Sequence, residues 1–237
     1  VNRSYPVITL QRGVRKLREL MAGHVYFIEG QHELDNPAWL TGAATHLNGQ
    51  LVRIPGRNGK PGVSLSGFGY QTQAKLASRL LDVPVEADII VMHQVWGEWM
   101  GARAQPQGWL KDVPGHISAV WTGDLHQYRL ELIDRPQCPP LLALSPGATC
   151  QQSISEPDEH FVVLYDPAIE PGRIEAYTPI KLRSRPRLTV DMCFGLEEAG
   201  VLDEAVAAVP EQVRALIDPT LPESIRAPLV WLHYSPD

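Results

Sequence analysis

Cysteine is scarce in this chain. Cys138, Cys150 and Cys193 are the only three, odd in number and widely spaced. They make neither a disulfide framework nor a zinc-finger spacing, so a reducing, cytoplasmic setting is the simple expectation. Long apolar runs are also missing. No stretch approaches the ~18 consecutive apolar residues of a membrane span, and no charged-then-apolar signal opens the chain, so no membrane association is expected. Positive charge is in deficit: the formal net charge is −6. That argues against whole-surface attraction to nucleic acid, while leaving room for a local basic groove or for metal ions that bring their own charge. Internal repeats and low-complexity segments are absent. The first residue is Val1, not Met, which fits a processed chain, a fragment or an alternative start codon.

What the chain does contain is enough apolar residue, 44% over 237 positions, for one large domain, or one domain plus a small appendage. One pattern occurs three times. Val25-Tyr26-Phe27-Ile28 leads into Gly30-Gln31-His32-Glu33; Ile89-Ile90-Val91-Met92 leads into His93-Gln94; Ile117 to Trp121 leads into Gly123-Asp124-Leu125-His126. Each is a short β-branched or aromatic run that reads as a buried strand, and each ends in a histidine beside a carboxylate or amide. If these strands lie side by side, their polar ends meet at the carboxyl edge of a sheet, where open α/β sheets place their ligands.

Around them, residues 10–22 read as an amphipathic helix with Leu10, Val14, Leu17 and Met21 on one side and Gly23 as its stop. Its Arg12, Arg15, Lys16 and Arg18 read as a solvated face. Residues 50–54 and 63–68 read as strands split by a Gly/Pro-rich turn, and Gln71 to Leu81 as a helix. Trp39 and Leu40 read as anchors for residues 34–49. Trp96, Trp99, Met100 and Trp109 follow His93; aromatics there suit base stacking, but packing of a long loop is the commoner use of Trp. Beyond residue 127, runs at 128–133, 141–144, 161–165 and 173–179 suggest a second, antiparallel sheet. Arg183-Ser184-Arg185-Pro186-Arg187 reads as a basic linker into a small unit with a strand at 188–190, a helical stretch over 202–217 and a last strand at 229–234.

Histidine combined with Asp or Gln oxygen suits Mn, Fe or Zn better than Ca or Mg, which prefer oxygen alone. Two such ions ~3.5–4 Å apart clamp a phosphate ester for in-line attack, and a histidine that does not ligate them can protonate the leaving oxygen. His24, His46, His116, His160 and His233 lack the strand-end context and read as structural.

These same residues resemble the calcineurin-like metallophosphoesterase superfamily, and more narrowly its SbcD-like DNA-repair exonuclease branch. Gly30-Gln31-His32-Glu33 is similar to that family's Gly-Asn-His-Asp/Glu motif, Met92-His93-Gln94 to its strand-then-histidine motif, and Gly123-Asp124-Leu125-His126 to its Gly-His-x-His motif. The narrower likeness rests on Ser145-Pro146-Gly147-Ala148-Thr149 with the later Glu156 and the run Phe161–Tyr165, and on Pro179 to Arg183 leading into Leu188 to Asp191.

The resemblance implies an α/β fold: a metallophosphoesterase-type sandwich of two mixed β-sheets flanked by helices, lacking its first strands. Residues 1–183 would form it, and 184–237 a small C-terminal capping or DNA-binding unit. It implies His32 as general acid, Gln31, His93 and Asp124 on one metal, and His126 on the other. Mn2+ is the implied metal, with Fe2+, Zn2+ or Mg2+ as alternatives. DNA is the implied substrate, an SbcC-like coiled-coil ATPase the implied partner, and a homodimer fits strands left uncovered. The chain departs from the family in three ways. The Asp-x-His and Gly-Asp motifs that precede the third motif do not occur, Gln31 stands for Asn, and Asp124 for His. Nuclease activity of this chain alone is therefore expected to be weak or absent. The alternative is a non-catalytic metallophosphoesterase-fold protein that binds DNA or a partner.

Overall fold

The structure is a computed structural model that describes residues 7–20, 24–32, 40–56, 62–100, 106–149, 159–184, 187–194, 209–215, 217, 220 and 229–236. Glu33, Trp39, Cys150 and Glu156 lie outside the described residues, as do parts of the expected linker and C-terminal helix.

Helix α1 spans Val7–Leu20, close to the amphipathic reading, with Arg12, Arg15, Lys16 and Arg18 exposed. Strands β1 (Tyr26–Phe27) and β2 (Thr45–His46) form a parallel ribbon. Then follow β3 (Val52–Ile54), β4 (Val63–Phe68), helix α2 (Gln73–Leu81) and β5 (Ile89–His93). A long connection leads to β6 (Ala119–Gly123), β7 (Arg129–Ile133) and β8 (Leu141–Ser145). Strands β9 (Phe161–Tyr165) and β10 (Tyr177–Lys181) pair with each other.

The centre is a six-stranded mixed sheet in the order β3-β4-β5-β6-β8-β7. Strands β4, β5, β6 and β8 run parallel, and β3 and β7 are antiparallel edges. A strand buried on both faces reads as an unbroken apolar run, and β8, Leu-Leu-Ala-Leu-Ser, is buried at all five positions. That corrects the expected second sheet beyond residue 127. β7 and β8 complete the first sheet, and of the runs at 128–179 only β9 and β10 stand apart from it.

Alternation along the strands sorts the core into two layers. On one face Phe68, Ile90, Met92, Val120, Leu141 and Ala143 pack with Leu76 and Leu80 of α2, and with Trp96 and Leu110. On the other, Val63, Leu65, Ile89, Ala119, Leu142 and Leu144 pack with Ala176 and Tyr177, and are covered by Tyr26, Ile28, Val163 and Tyr165. Each large aliphatic side chain buried this way contributes roughly 1.5–3 kcal/mol.

The β1–β2 ribbon is seated on β4 at Gly67. A Cβ there would lie 2.7 Å from Leu47 Cδ1 and 3.1 Å from Ile28 Cγ2, so glycine is what lets the ribbon approach. β1 is thus not a ladder neighbour of β5 and β6, as side-by-side strand ends would require.

By contact the chain divides into two compact units, Val1–Gly147 with Val163–Pro179, and Ala148–Val162 with Ile180–Asp237. In the second unit β11 (Arg187–Phe194) and β12 (Leu229–Pro236) pair in parallel over their whole length, and residues 209–215 are helical. Among the described residues no helix is long and apolar enough to cross a membrane.

Candidate functional site

Strands β5 and β6 end in register, His93 opposite Gly123. A Cβ on Gly123 would sit 2.7 Å from His93 Nδ1, so the imidazole lies directly on the glycine backbone. The next residue, Asp124, has φ of 78°, the left-handed region that a non-glycine residue occupies at some cost and that collects at functional turns. The turn is braced from behind. Ser145 Oγ donates to Leu125 O at 3.2 Å. Gly147, itself at φ 78°, lies so close that a Cβ would be 2.9 Å from His126 O and from Tyr128 N.

Into this turn reaches Gln31 from the chain after β1. Its Nε2 donates to Asp124 Oδ1 at 2.9 Å, and His93 Nε2 stands 3.7 Å from the same oxygen. Because the carboxylate takes the NH2 end of the amide, Gln31 Oε1 points away from it. That oxygen is buried and has no hydrogen-bond partner. The Asp124 carboxyl is held below its ordinary range, first by its close polar contact with His93, then by the hydrogen bond from Gln31 and by the charges of His93 and His126. Burial pushes the other way and does not win.

The structure therefore gathers Gln31, His93 and Asp124, with His126 near enough for its charge to act on Asp124. His126 is exposed, and so is His32 on the turn beside Gln31. Among the described residues no three His, Cys, Asp or Glu side chains group as a metal site. The cluster has two such groups and an amide.

Gln94, next to His93, is completely buried. Its Nε2 donates to Gln71 O and Gln107 Oε1, both at 2.7 Å, and its Oε1 accepts from Gln71 N at 3.1 Å. Trp96 Nε1 donates to Thr122 Oγ1 at 3.1 Å, and that hydroxyl donates to Gln94 O. Trp96 and Trp99 are buried, so packing accounts for both. Trp109 is 42% exposed, with Lys111 Nζ 5.1 Å from its ring centre.

Glu29 carries no sequence expectation, and His46, expected to be structural, is its partner. Glu29 Oε2 and His46 Nε2 are 2.5 Å apart, and the histidine ring stacks on Phe27 with centres 4.7 Å apart. The available signal was a carboxylate directly before Gly30-Gln31-His32; nothing in the local sequence marks its partner.

Compared with known proteins, the chain matches no family model and no curated sequence.

Proposed function

We propose that this chain is a metallophosphoesterase-type protein of the SbcD-like branch. On this reading it is a manganese-dependent hydrolase of phosphodiester bonds in DNA, with weak activity because part of the ligand set is missing from the chain. The fold proposed with it is that family's two-sheet sandwich. The observation that carries the reading is the meeting of Gln31, His93 and Asp124 at the carboxyl edge of β5 and β6.

An amide oxygen, an imidazole nitrogen and a carboxylate together suit Mn2+, with Fe2+ or Zn2+ next and Mg2+ last. The fit is supported by the buried, unpartnered Gln31 Oε1, since a buried acceptor without a donor is costly and a coordinated cation removes that cost. His93 through Nε2 and Asp124 through its carboxylate would hold one ion, Gln31 joining them through Oε1 once its amide turns over, and His126 would serve a second. Such an ion supplies charge stabilisation at a phosphate oxygen and makes water a better nucleophile.

The protein's own side chains supply the rest. Asp124 stays ionised well below neutrality and contributes the negative charge of the ligand set. His93 is held in place by the Gly123 backbone. His32, exposed beside Gln31, is the group to protonate the departing sugar oxygen of DNA. An SbcC-like coiled-coil ATPase is the proposed partner.

One observation favours the second reading, a non-catalytic relative that binds DNA or a partner. The Gln31 NH2 group already occupies Asp124 Oδ1, so the carboxylate has a donor without a metal.

Electron paramagnetic resonance titration of the full chain with Mn2+ separates the two. One saturable site that disappears in His93→Ala and Asp124→Ala, with little DNA hydrolysis, supports the first reading. Absence of saturable binding at millimolar Mn2+ would remove it in favour of the second.

A further inference from the structure

We infer that Glu29 and His46 form a positioning pair that sets where Gln31 stands; the inference deepens the reading of Gln31 as part of a ligand cluster and rests on it. The turn 30–32 brings Gln31 to the site from outside the six-stranded sheet, and it is fixed at both ends. Downstream, Gln31 is bonded to Asp124. Upstream, Glu29 is clamped through both its main chain and its side chain.

Glu29 O accepts from Tyr70 N at 2.9 Å, which ties the chain to the loop after β4. Its carboxylate meets His46 Nε2 at 2.5 Å, with side-chain exposures of 12% for Glu29 and 17% for His46. Cross-strand register explains why the pair meets. His46 lies opposite Phe27 and stacks on it. Glu29 is two residues further along the extended chain, so it shares Phe27's side and reaches back to the imidazole.

On its other flank the carboxylate packs against Gly69. A Cβ at Gly69 would fall 2.1 Å from Glu29 Cδ, so Glu29 occupies the space that glycine leaves. A largely buried, charge-assisted hydrogen bond has a narrow range of geometry. A residue fixed this way two positions before Gln31 restricts where the amide can go. Neither side chain is placed to touch a substrate at the cluster by any contact in the structure; the pair acts through Gln31.

Three routes disturb the pair independently: Glu29→Ala, His46→Ala and Gly69→Ala, the last by displacing the carboxylate without deleting it. Glu29→Gln is the conservative variant, since its amide oxygen still accepts from the imidazole. The first readout needs no metal. It is the side-chain NH2 resonance of Gln31 in the full chain, assigned by its loss in Gln31→Ala, together with its hydrogen-exchange rate. The expected result is a shift toward free glutamine and at least tenfold faster exchange in the three disruptive variants, with recovery in Glu29→Gln and a melting temperature close to wild type.

The second readout is Mn2+ affinity, expected to fall about tenfold or more in the same variants, the size seen when residues that orient a ligand are removed. An unchanged Gln31 resonance in Glu29→Ala and His46→Ala overturns the inference. If either variant does not fold, Gly69→Ala and Glu29→Gln decide by the same resonance. Failure of the wild-type chain to bind Mn2+ counts against the metal reading alone, because the resonance still reports whether the pair positions Gln31.

Discussion

Gln31 and Asp124 lie 93 positions apart in the chain and are joined by a single hydrogen bond of 2.9 Å. A bond from a neutral amide to a half-buried carboxylate is worth about 1 kcal/mol after solvent screening. Gln31→Ala is therefore expected to lower stability by about that much in chemical denaturation, while weakening Mn2+ binding about tenfold by titration. Loss of stability with unchanged Mn2+ affinity would remove Gln31 from the ligand set.

The lowered pKa of Asp124 has a consequence for acid stability. A carboxyl whose folded-state pKa lies below its unfolded value stabilises the fold at any pH above that unfolded value, about 4. The contribution is lost as pH falls from there through the lower folded value. Asp124→Asn should thus be less stable than wild type at pH 7, with the difference shrinking as pH drops below about 4. Thermal unfolding across that range measures it, and a gap that widens in acid would contradict the direction assigned here.

Gly123 and Gly147 are expected to be intolerant for different reasons. Gly123→Ala forces the His93 ring off the backbone, so its main effect should be on Mn2+ affinity. Gly147→Ala adds strain at φ 78° and presses on the 126–128 chain, costing about 1–3 kcal/mol of stability. Denaturant midpoints and Mn2+ titrations on the two variants should rank them in opposite order.

Arg135 is buried, at 6% exposure, and its guanidinium donates to the carbonyls of Val113, Pro114, Gly115, Ile117 and Pro139. Burial draws its pKa down from the ordinary value, yet it stays charged. These bonds fasten the chain entering β6 to the chain between β7 and β8. Arg135→Met strands several carbonyl oxygens at once, and about 3 kcal/mol or more of destabilisation is expected. A melting temperature within about 2 °C of wild type would show that water satisfies those oxygens instead.

The strands of the central sheet were legible because burial on both faces leaves its mark as unbroken apolar runs. Ile89 to Met92 is such a run, and the structure places β5 on it; Val63 to Phe68 interleaves Ser64, Ser66 and Gly67 with apolar residues, and β4 was legible instead from the Gly/Pro-rich turn before it. Leu141 to Leu144 was equally legible as a strand but not as a neighbour of β6, since sequence order favours β7 in that place. The meeting of Gln31, His93 and Asp124 followed from the strand-end pattern, although Gln31 arrives from a separate ribbon. Glu29 with His46 was not legible: a pair made by cross-strand register between two-residue strands leaves no periodicity in either segment. The cluster's backbone requirements, Gly69 under Glu29 and Gly123 under His93, likewise become visible only once the neighbours are known.

The seat of the β1–β2 ribbon on Gly67 also bears on time. A ribbon tied to the sheet by main-chain bonds such as Gly49 N to Gly67 O and Tyr70 N to Glu29 O, and by the packing of Leu47 and Ile28 on Gly67, can detach in a sub-global opening that costs less than unfolding the six-stranded sheet. Each such excursion would withdraw Gln31 while leaving His93 and Asp124 in place, so residence time at the cluster would follow the ribbon's opening rate and not the lifetime of the native state.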